Sequence, residues 1–253
     1  MIRGLIFDIN GTLTDILTDE EQNDLYRVVS HFLIYQGIII SPEELKRVYF
    51  DINKRQRLDS QEEHPEFDVV GLFAEIIKDN ATKYTKELSC KKLKLLPEIT
   101  AEIFRAASLF QLKLYPNVKK TLQKLQKKYK LAAVSDGQSL WAKAELNAVG
   151  LANFFDPLLV SSDYGYRKPD GRLFKKALKK MNMKPEEVIF IGNDLYRDIY
   201  GANEMGIKSV FFKSNQGDHT YTAATPDCTI TKIEDLETAV KTLAAEAKKK
   251  AHK

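Results

Sequence analysis

The chain has 253 residues, 43% of them apolar, enough to bury one sizeable core or one core with a smaller companion. Its formal charge of +4 is accounted for by Lys248, Lys249, Lys250 and Lys253 in the tail, and an otherwise neutral chain argues against nucleic acid as the main ligand. No run approaches the ~18 apolar residues of a membrane span, and Asp8 breaks any leading signal-peptide core; Cys90 and Cys228 match no metal or redox spacing, so a soluble cytoplasmic protein with no membrane partner is expected.

Residues 2–7, Ile-Arg-Gly-Leu-Ile-Phe, read as a buried strand that ends in Asp8 and turns at Gly11 and Thr12. From there to about residue 112 the pattern is helical, with no convincing strand. Thr18 and Glu21 suggest a capping box ahead of an apolar face made by Leu25, Val28, Val29, Phe32 and Leu33, with Gly37 as the stop. Ser41, Pro42 and Glu44 open a second helix, and further helices are expected near 67–79 and 97–110. After Tyr115 and Pro116 the rhythm changes. Val118, Leu122, Leu125 and Tyr129 share a helix face, and the apolar run 131–134 follows as a strand. The alternation continues with helix 139–149, strand 158–161, helix 171–181, strand 188–191, helix 198–205 and strand 210–212, with Gly150 and Gly206 as helix stops. The Lys/Ala-rich tail is expected to fray.

Strands alternating with helices imply an α/β fold, a Rossmann-like doubly wound parallel sheet. The core is expected to comprise residues 1–14 and 115–253, interrupted by an inserted all-α cap domain over residues 15–114. Ligands of such sheets bind at the carboxyl ends of the strands. Four of the expected strands end there in polar residues: Asp8 with Asn10, Ser135 with Asp136, Ser161 to Asp163 ahead of Lys168, and Asp194 with Asp198. One polar strand end means little, because turns favour Asp and Ser. Four together describe a site, and carboxylates with a hydroxyl and a lysine suit a hard cation and a phosphate.

In four short motifs the sequence resembles the haloacid dehalogenase superfamily. Asp8-Ile9-Asn10-Gly11-Thr12-Leu13 is similar to its nucleophile motif, Ser135 after Ala132-Ala133-Val134 to the second, Lys168 before Pro169 to the third, and Gly192-Asn193-Asp194-Leu195-Tyr196-Arg197-Asp198 to the acidic fourth. The helical insert between the first and second also resembles the family's alpha-helical cap. The resemblance implies a Mg²⁺-dependent hydrolase acting on a small phosphorylated metabolite. By it, Asp8 is the nucleophile and a metal ligand, forming a covalent aspartyl intermediate. Asp194 completes the metal site, and Asp198 ligates through water or holds Lys168. Ser135 and the amides of Asp136 and Gly137 bind the transferred group's oxygens, with Gly11 and Thr12 counted in the same phosphate-binding set. Lys168 positions Asp8 and stabilises developing charge.

Asn10 departs from the pattern, since family phosphatases usually carry Asp there to protonate the leaving alcohol and activate water. An amide does neither, although its main-chain carbonyl remains a metal ligand. The alternatives to an ordinary phosphatase are a phosphatase for a good leaving group such as an acyl phosphate, a 2-haloacid dehalogenase-type hydrolase, a member that binds without catalysis, or a substitution introduced to trap a complex. In the insert, residues 55–57 and 62–66 are polar stretches read as solvated loops rather than as site walls. His64 is expected in a loop and Trp141 in the core.

Overall fold

The computed structural model describes residues 1–251. Strands β1 (Gly4–Phe7) and β2 (Thr14–Thr18) come first. Helices α1 (Asn23–Tyr35), α2 (Pro42–Asp59), α3 (Val69–Asp79), α4 (Lys83–Lys86) and α5 (Cys90–Ser108) follow without an intervening strand. Then come β3 (Leu109–Leu114), α6 (Val118–Leu125), β4 (Lys130–Ser135), α7 (Ser139–Ala148), β5 (Leu158–Val160) and α8 (Gly171–Met181). The chain continues with β6 (Val188–Gly192), a π-helical turn over Leu195–Tyr200, α9 (Gly201–Glu204), β7 (Lys208–Phe212), β8 (Cys228–Ile230) and α10 (Leu236–Ala251).

Six strands form one sheet in the order β5-β4-β1-β6-β7-β8, every neighbouring pair parallel. The Rossmann-like α/β core expected from the sequence is therefore present. From central β1 the chain passes to β4 and β5 on one side and then to β6, β7 and β8 on the other, so the crevice of such a sheet lies at the carboxyl end of β1. Alternation along β1 sends Leu5 and Phe7 to one face, where they pack with Leu122 of α6 and Val240 of α10. Ile6 goes to the other, against Phe174 of α8 and Phe190.

Helices α1, α2, α3 and α5 enclose a separate core around Tyr26, Tyr49, Phe73 and Phe104, the rings of Tyr49 and Phe104 stacked with centroids 4.4 Å apart. Trp141 of α7 joins this core, as expected, and donates from Nε1 to the carbonyl of Ala101 at 2.9 Å. The core thus ties the helical layer to the sheet domain. Ser41 caps α2 by accepting from the amide of Glu44 at 3.2 Å, and Gly37 ends the α1 segment at φ +83°, both as the sequence suggests.

Other expectations need correction. β2 and β3 pair antiparallel as a two-stranded ribbon at the base of the helical layer, where only helix was expected. The paired residues lie 91 (Thr18 and Leu109) to 100 (Thr14 and Leu114) positions apart, so no local turn signal marks the pair, and Leu17 and Phe110 stay exposed, which obscures the alternation. Thr18 ends β2 instead of capping α1, which starts after Gln22 without a side-chain cap. α5 begins at Cys90, capped by Ser89, and carries Pro97 inside it. β8 was not anticipated. Helix α10 runs to Ala251 and packs through Leu236, Val240 and Leu243, all buried; of the Lys/Ala-rich tail expected to fray, His252 and Lys253 lie outside the described residues. Among the described residues no helix is long and apolar enough to cross a membrane.

Because Tyr49, Phe73 and Phe104 form the centre of the helical layer, Phe104→Ala is expected to destabilise that layer by about 3–5 kcal/mol, read from urea unfolding. A loss below about 1 kcal/mol would show that the layer is held mainly by its contacts with the sheet.

Candidate active site

At the end of β1 the main chain leaves the sheet with Asp8, whose amide donates to Ile191 of β6 at 2.9 Å. Gly11 then turns at φ +84°, and a Cβ there would stand 2.3 Å from Nδ2 of Asn193. Only glycine lets this turn approach the β6 loop so closely. The Thr12 hydroxyl lies between Oδ2 of Asp8 at 3.0 Å and Oδ1 of Asn193 at 2.9 Å, joining the first and fourth motifs. Asn10 is half-buried, and its Oδ1 accepts from Thr14 Oγ1 at 2.9 Å.

Lys168 is the hub. It is 4% exposed, and its Nζ lies 2.6 Å from Oδ1 of Asp8 and 2.6 Å from Oδ1 of Asp198. Burial alone would pull the ammonium down, but Asp198, Asp8 and Asp136 outweigh it and hold its pKa above the usual lysine value. The other oxygen of Asp198 accepts from the amides of Asn193 at 3.0 Å and Asp194 at 3.1 Å. Burial pushes the Asp198 carboxyl up to about 6, Lys168 opposing and Asp8 reinforcing that rise. Of the two roles the resemblance left open for Asp198, holding Lys168 is the one its contacts display. Gly192 is required at this point, because a Cβ on it would meet Oδ2 of Asp198 at 2.4 Å.

Asp194 caps the π-helical turn by accepting from the Arg197 amide at 2.7 Å. Its second oxygen accepts from Arg197 Nε at 2.9 Å and from the Asp218 amide at 3.0 Å. Burial alone would raise this carboxyl, but Arg197 and these donors hold it below the ordinary value. At the end of β4, Ser135 is buried, and among the described residues neither its Oγ nor Asp136 Oδ2 has a hydrogen-bond partner. Asp136 Oδ1 accepts from the Lys168 amide at 3.0 Å. The Gly137 amide, expected to bind the transferred group, donates instead to Ser161 Oγ at 2.8 Å.

Asp8, Thr12, Lys168 and Asp198 are therefore joined by direct contacts. Ser135 ends the strand beside β1, since β4 pairs with β1, and Asp194 lies two residues past the end of the other neighbour, β6. The oxygens offered by Asp8, by Asp194 and by the main chain at Asn10 are hard donors, a set that suits Mg²⁺. Among the described residues no group of three or more His, Cys, Asp or Glu is arranged to hold a metal.

A cavity of about 240 Å³ lies over the site, with Asn10 and Asp136 on the sheet side and Glu20, Arg57, Glu66 and Arg105 on the helical side. Residues 55–57 are thus part of α2 and not a loop, and Arg57 and Glu66 face the cavity instead of solvent. Arg55 does point outward, pairing with Glu75. His64 lies in a loop as expected, its ring edge-on to Tyr196. Arg167, Arg197 and Asn193 were not assigned roles from the sequence. The signal for them was present, because each flanks a motif residue.

The parallel sheet and the buried acid-lysine cluster at its carboxyl edge define a Rossmann-like α/β enzyme. The model of the haloacid dehalogenase-like hydrolases matches residues 2–206, and the chain belongs to that family. Along 251 residues it is 26% identical to the glyceraldehyde 3-phosphate phosphatase of Methanocaldococcus jannaschii, covering 96% of this chain and 99% of that one. It is 41% identical to the Pyrococcus furiosus protein of the same name over 99 residues, which is 39% of this chain and 41% of its relative. Among solved structures, the 2-haloacid dehalogenase from Pseudomonas syringae pv. Tomato DC3000 superposes with a TM-score of 0.66 at 20% identity, covering 96% of this chain and 99% of that chain. The HAD phosphatase from Thermococcus onnurineus gives 0.56, also at 20% identity, with 94% and 98% covered. Both likenesses are of fold.

Lys168→Met leaves two buried carboxylates without their cation, and a loss of about 3–5 kcal/mol near neutral pH is expected by urea unfolding. Without the opposing lysine the Asp198 carboxyl, already raised by burial, rises further above its unfolded value, so the variant's stability is present at low pH and lost as pH rises. Its deficit against the wild type should shrink as pH falls toward about 4; a constant deficit would show that Lys168 does not neutralise the pair.

Proposed function

We propose that the chain is a Mg²⁺-dependent phosphatase of small phosphorylated metabolites, with Asp8 as nucleophile. The observation that carries this reading is the unpartnered, buried Ser135 hydroxyl on the strand beside Asp8. A buried hydroxyl without a partner is costly, and a phosphoryl oxygen would satisfy it. The relatives named glyceraldehyde 3-phosphate phosphatase support the same substrate class.

In this reading Oδ2 of Asp8 attacks phosphorus while Oδ1 remains on Lys168. The bond from phosphorus to the leaving oxygen breaks, and an aspartyl-phosphate forms. Water then attacks that phosphorus, releasing inorganic phosphate and restoring the carboxylate. Thr12 and Lys168 fix the carboxylate, and Ser135 with the Asp136 amide orients the phosphoryl oxygens. Asp8, Asp194 and the Asn10 carbonyl would hold Mg²⁺, which when bound neutralises phosphoryl charge. Asp194 would then be shared with Arg197. The helical layer acts as a cap over the site, with bounds near residues 15–114, and excludes water.

Asn10 leaves the departing oxygen without an acid. Losing general acid–base catalysis costs roughly 10²–10⁴ in rate, so substrates with good leaving groups should suffer least. Turnover of an aryl phosphate and of an alkyl phosphate with Mg²⁺ tests this directly. Asn10→Asp is expected to raise alkyl phosphate turnover by about 10²-fold or more and aryl turnover by less, and Asp8→Asn to abolish both. No phosphate release from any form would overturn the phosphatase reading.

A further inference from the structure

Three arginines, Arg57, Arg105 and Arg167, line the cavity, and their pairing differs. Arg105 Nε is committed to Glu145 at 2.6 Å, and its guanidinium stacks on Trp141. Arg57 reaches only neutral oxygens closely, Asn53 Oδ1 at 3.0 Å and, more weakly, the Pro65 carbonyl at 3.4 Å. Its nearest carboxylate oxygen, Glu66 Oε1, is 3.6 Å from Nη2. Arg167 Nε stands 3.5 Å from Glu66 Oε2 and 3.9 Å from Asp136 Oδ2. These separations exceed those of good charge-assisted hydrogen bonds.

Glu66 cannot close them without giving up its own partners. Its Oε1 accepts from the Phe67 amide at 3.1 Å, and its Oε2 from the Ser161 hydroxyl at 2.7 Å. The carboxylate is thereby fixed between two guanidiniums, lending charge to both and satisfying neither. Burial pulls Arg57 below its ordinary value, and Glu66 only partly offsets that. Glu20 and Asp136 share the cavity wall with Glu66, yet none of the three closes on either guanidinium at charge-assisted hydrogen-bond distance, so both keep N–H donors for a ligand. A planar guanidinium fork matches a carboxylate in geometry.

We infer that Arg57 and Arg167 form the receptor for a carboxylate carried by the substrate at the end remote from its phosphate. This rests on the phosphatase reading and narrows it to short phosphorylated carboxylic acids. Arg57 comes from the helical layer, whereas Arg167 directly precedes Lys168, so the receptor spans the gap between cap and nucleophile. At about 240 Å³ the cavity falls below the ~300–1,000 Å³ of drug-sized sites, so the acid is small.

The test uses 3-phosphoglycerate and glycerol 3-phosphate, which differ only in a carboxylate replacing a hydroxymethyl group. The wild type is expected to favour 3-phosphoglycerate by about tenfold or more in kcat/KM, chiefly through KM. Arg57→Gln should bring the ratio near one, and Arg57→Lys should restore part of it. Arg167→Gln, which leaves α2 untouched, should lower the same ratio, so that misfolding of one variant does not decide the matter. Calorimetric binding of both compounds to the metal-free chain gives a readout without turnover. If p-nitrophenyl phosphate and both esters release no phosphate yet binding still discriminates and depends on Arg57, the receptor stands and the phosphatase reading fails. Equal binding of the two compounds by the wild type, or a ratio that Arg57→Gln and Arg167→Gln leave unchanged, overturns the receptor. Tighter binding of propane-1,3-diyl bisphosphate than of 3-phosphoglycerate overturns its assignment to a carboxylate.

Discussion

One ammonium group held between two buried carboxylates, Lys168 between Asp8 and Asp198, sets the terms for everything around it. Each ion costs several kcal/mol to desolvate, and the cost is recovered only where geometry is good and the remaining lone pairs are satisfied. The structure meets both requirements with two backbone amides and one hydroxyl. Asp198 takes two amides from the β6 loop, Asp8 takes the Thr12 hydroxyl, and Gly192 stands aside to let the Asp198 carboxylate approach. Three strand ends and the loop before α8 must be in register for this to work. The sheet order, with β1 flanked by β4 and β6, supplies that register.

A second charge layer surrounds this hub. Arg197 pairs with Asp194 and reaches toward Asp136 at 3.8 Å, while Arg167 stands between Asp136 and Glu66. Carboxylates outnumber cations around Asp8, and the contacts between them are of unequal quality. The close pairs hold the scaffold, whereas the looser ones, together with the unpartnered oxygens of Ser135 and Asp136, mark where a ligand would improve on the protein's own contacts. The same criterion separates Arg105, which serves the packing around Trp141, from Arg57 in the same wall.

Much of the sheet and its polar edge was legible in the sequence. Buried parallel strands are continuous apolar runs that end abruptly in Asp or Ser, so Asp8, Ser135 and Asp194 could be placed on strand ends without knowing any contact. The ribbon of β2 and β3 was not legible. Its partners are distant, and Leu17 and Phe110 face solvent, so neither alternation nor a turn announces it. Arg57 and Glu66 illustrate a second limit. Both sit in polar stretches that a composition argument assigns to solvent, and only the way the helical layer folds over the sheet turns them inward. Gly137 shows a third, because a backbone donor next to a motif residue can be claimed by a neighbour, here Ser161.

The two unusual features, Asn10 and the loosely paired arginines, bear on the same free-energy balance. Where a leaving group receives no proton, the chemical step leans more on orientation and on binding energy realised away from the reacting bond. Contacts to the remote end of a substrate then carry a larger share of the work. In the proposed reading those contacts would come from α2 and from the loop that contains Glu66, elements of the helical layer, and from Arg167 beside the hub lysine. The layer is fastened to the sheet domain through its own core by Trp141 and through Glu66 by Ser161. In the proposed reading substrate selection and nucleophile positioning are therefore mechanically joined, because Arg167 and Lys168, which would carry the two tasks, are adjacent in the chain.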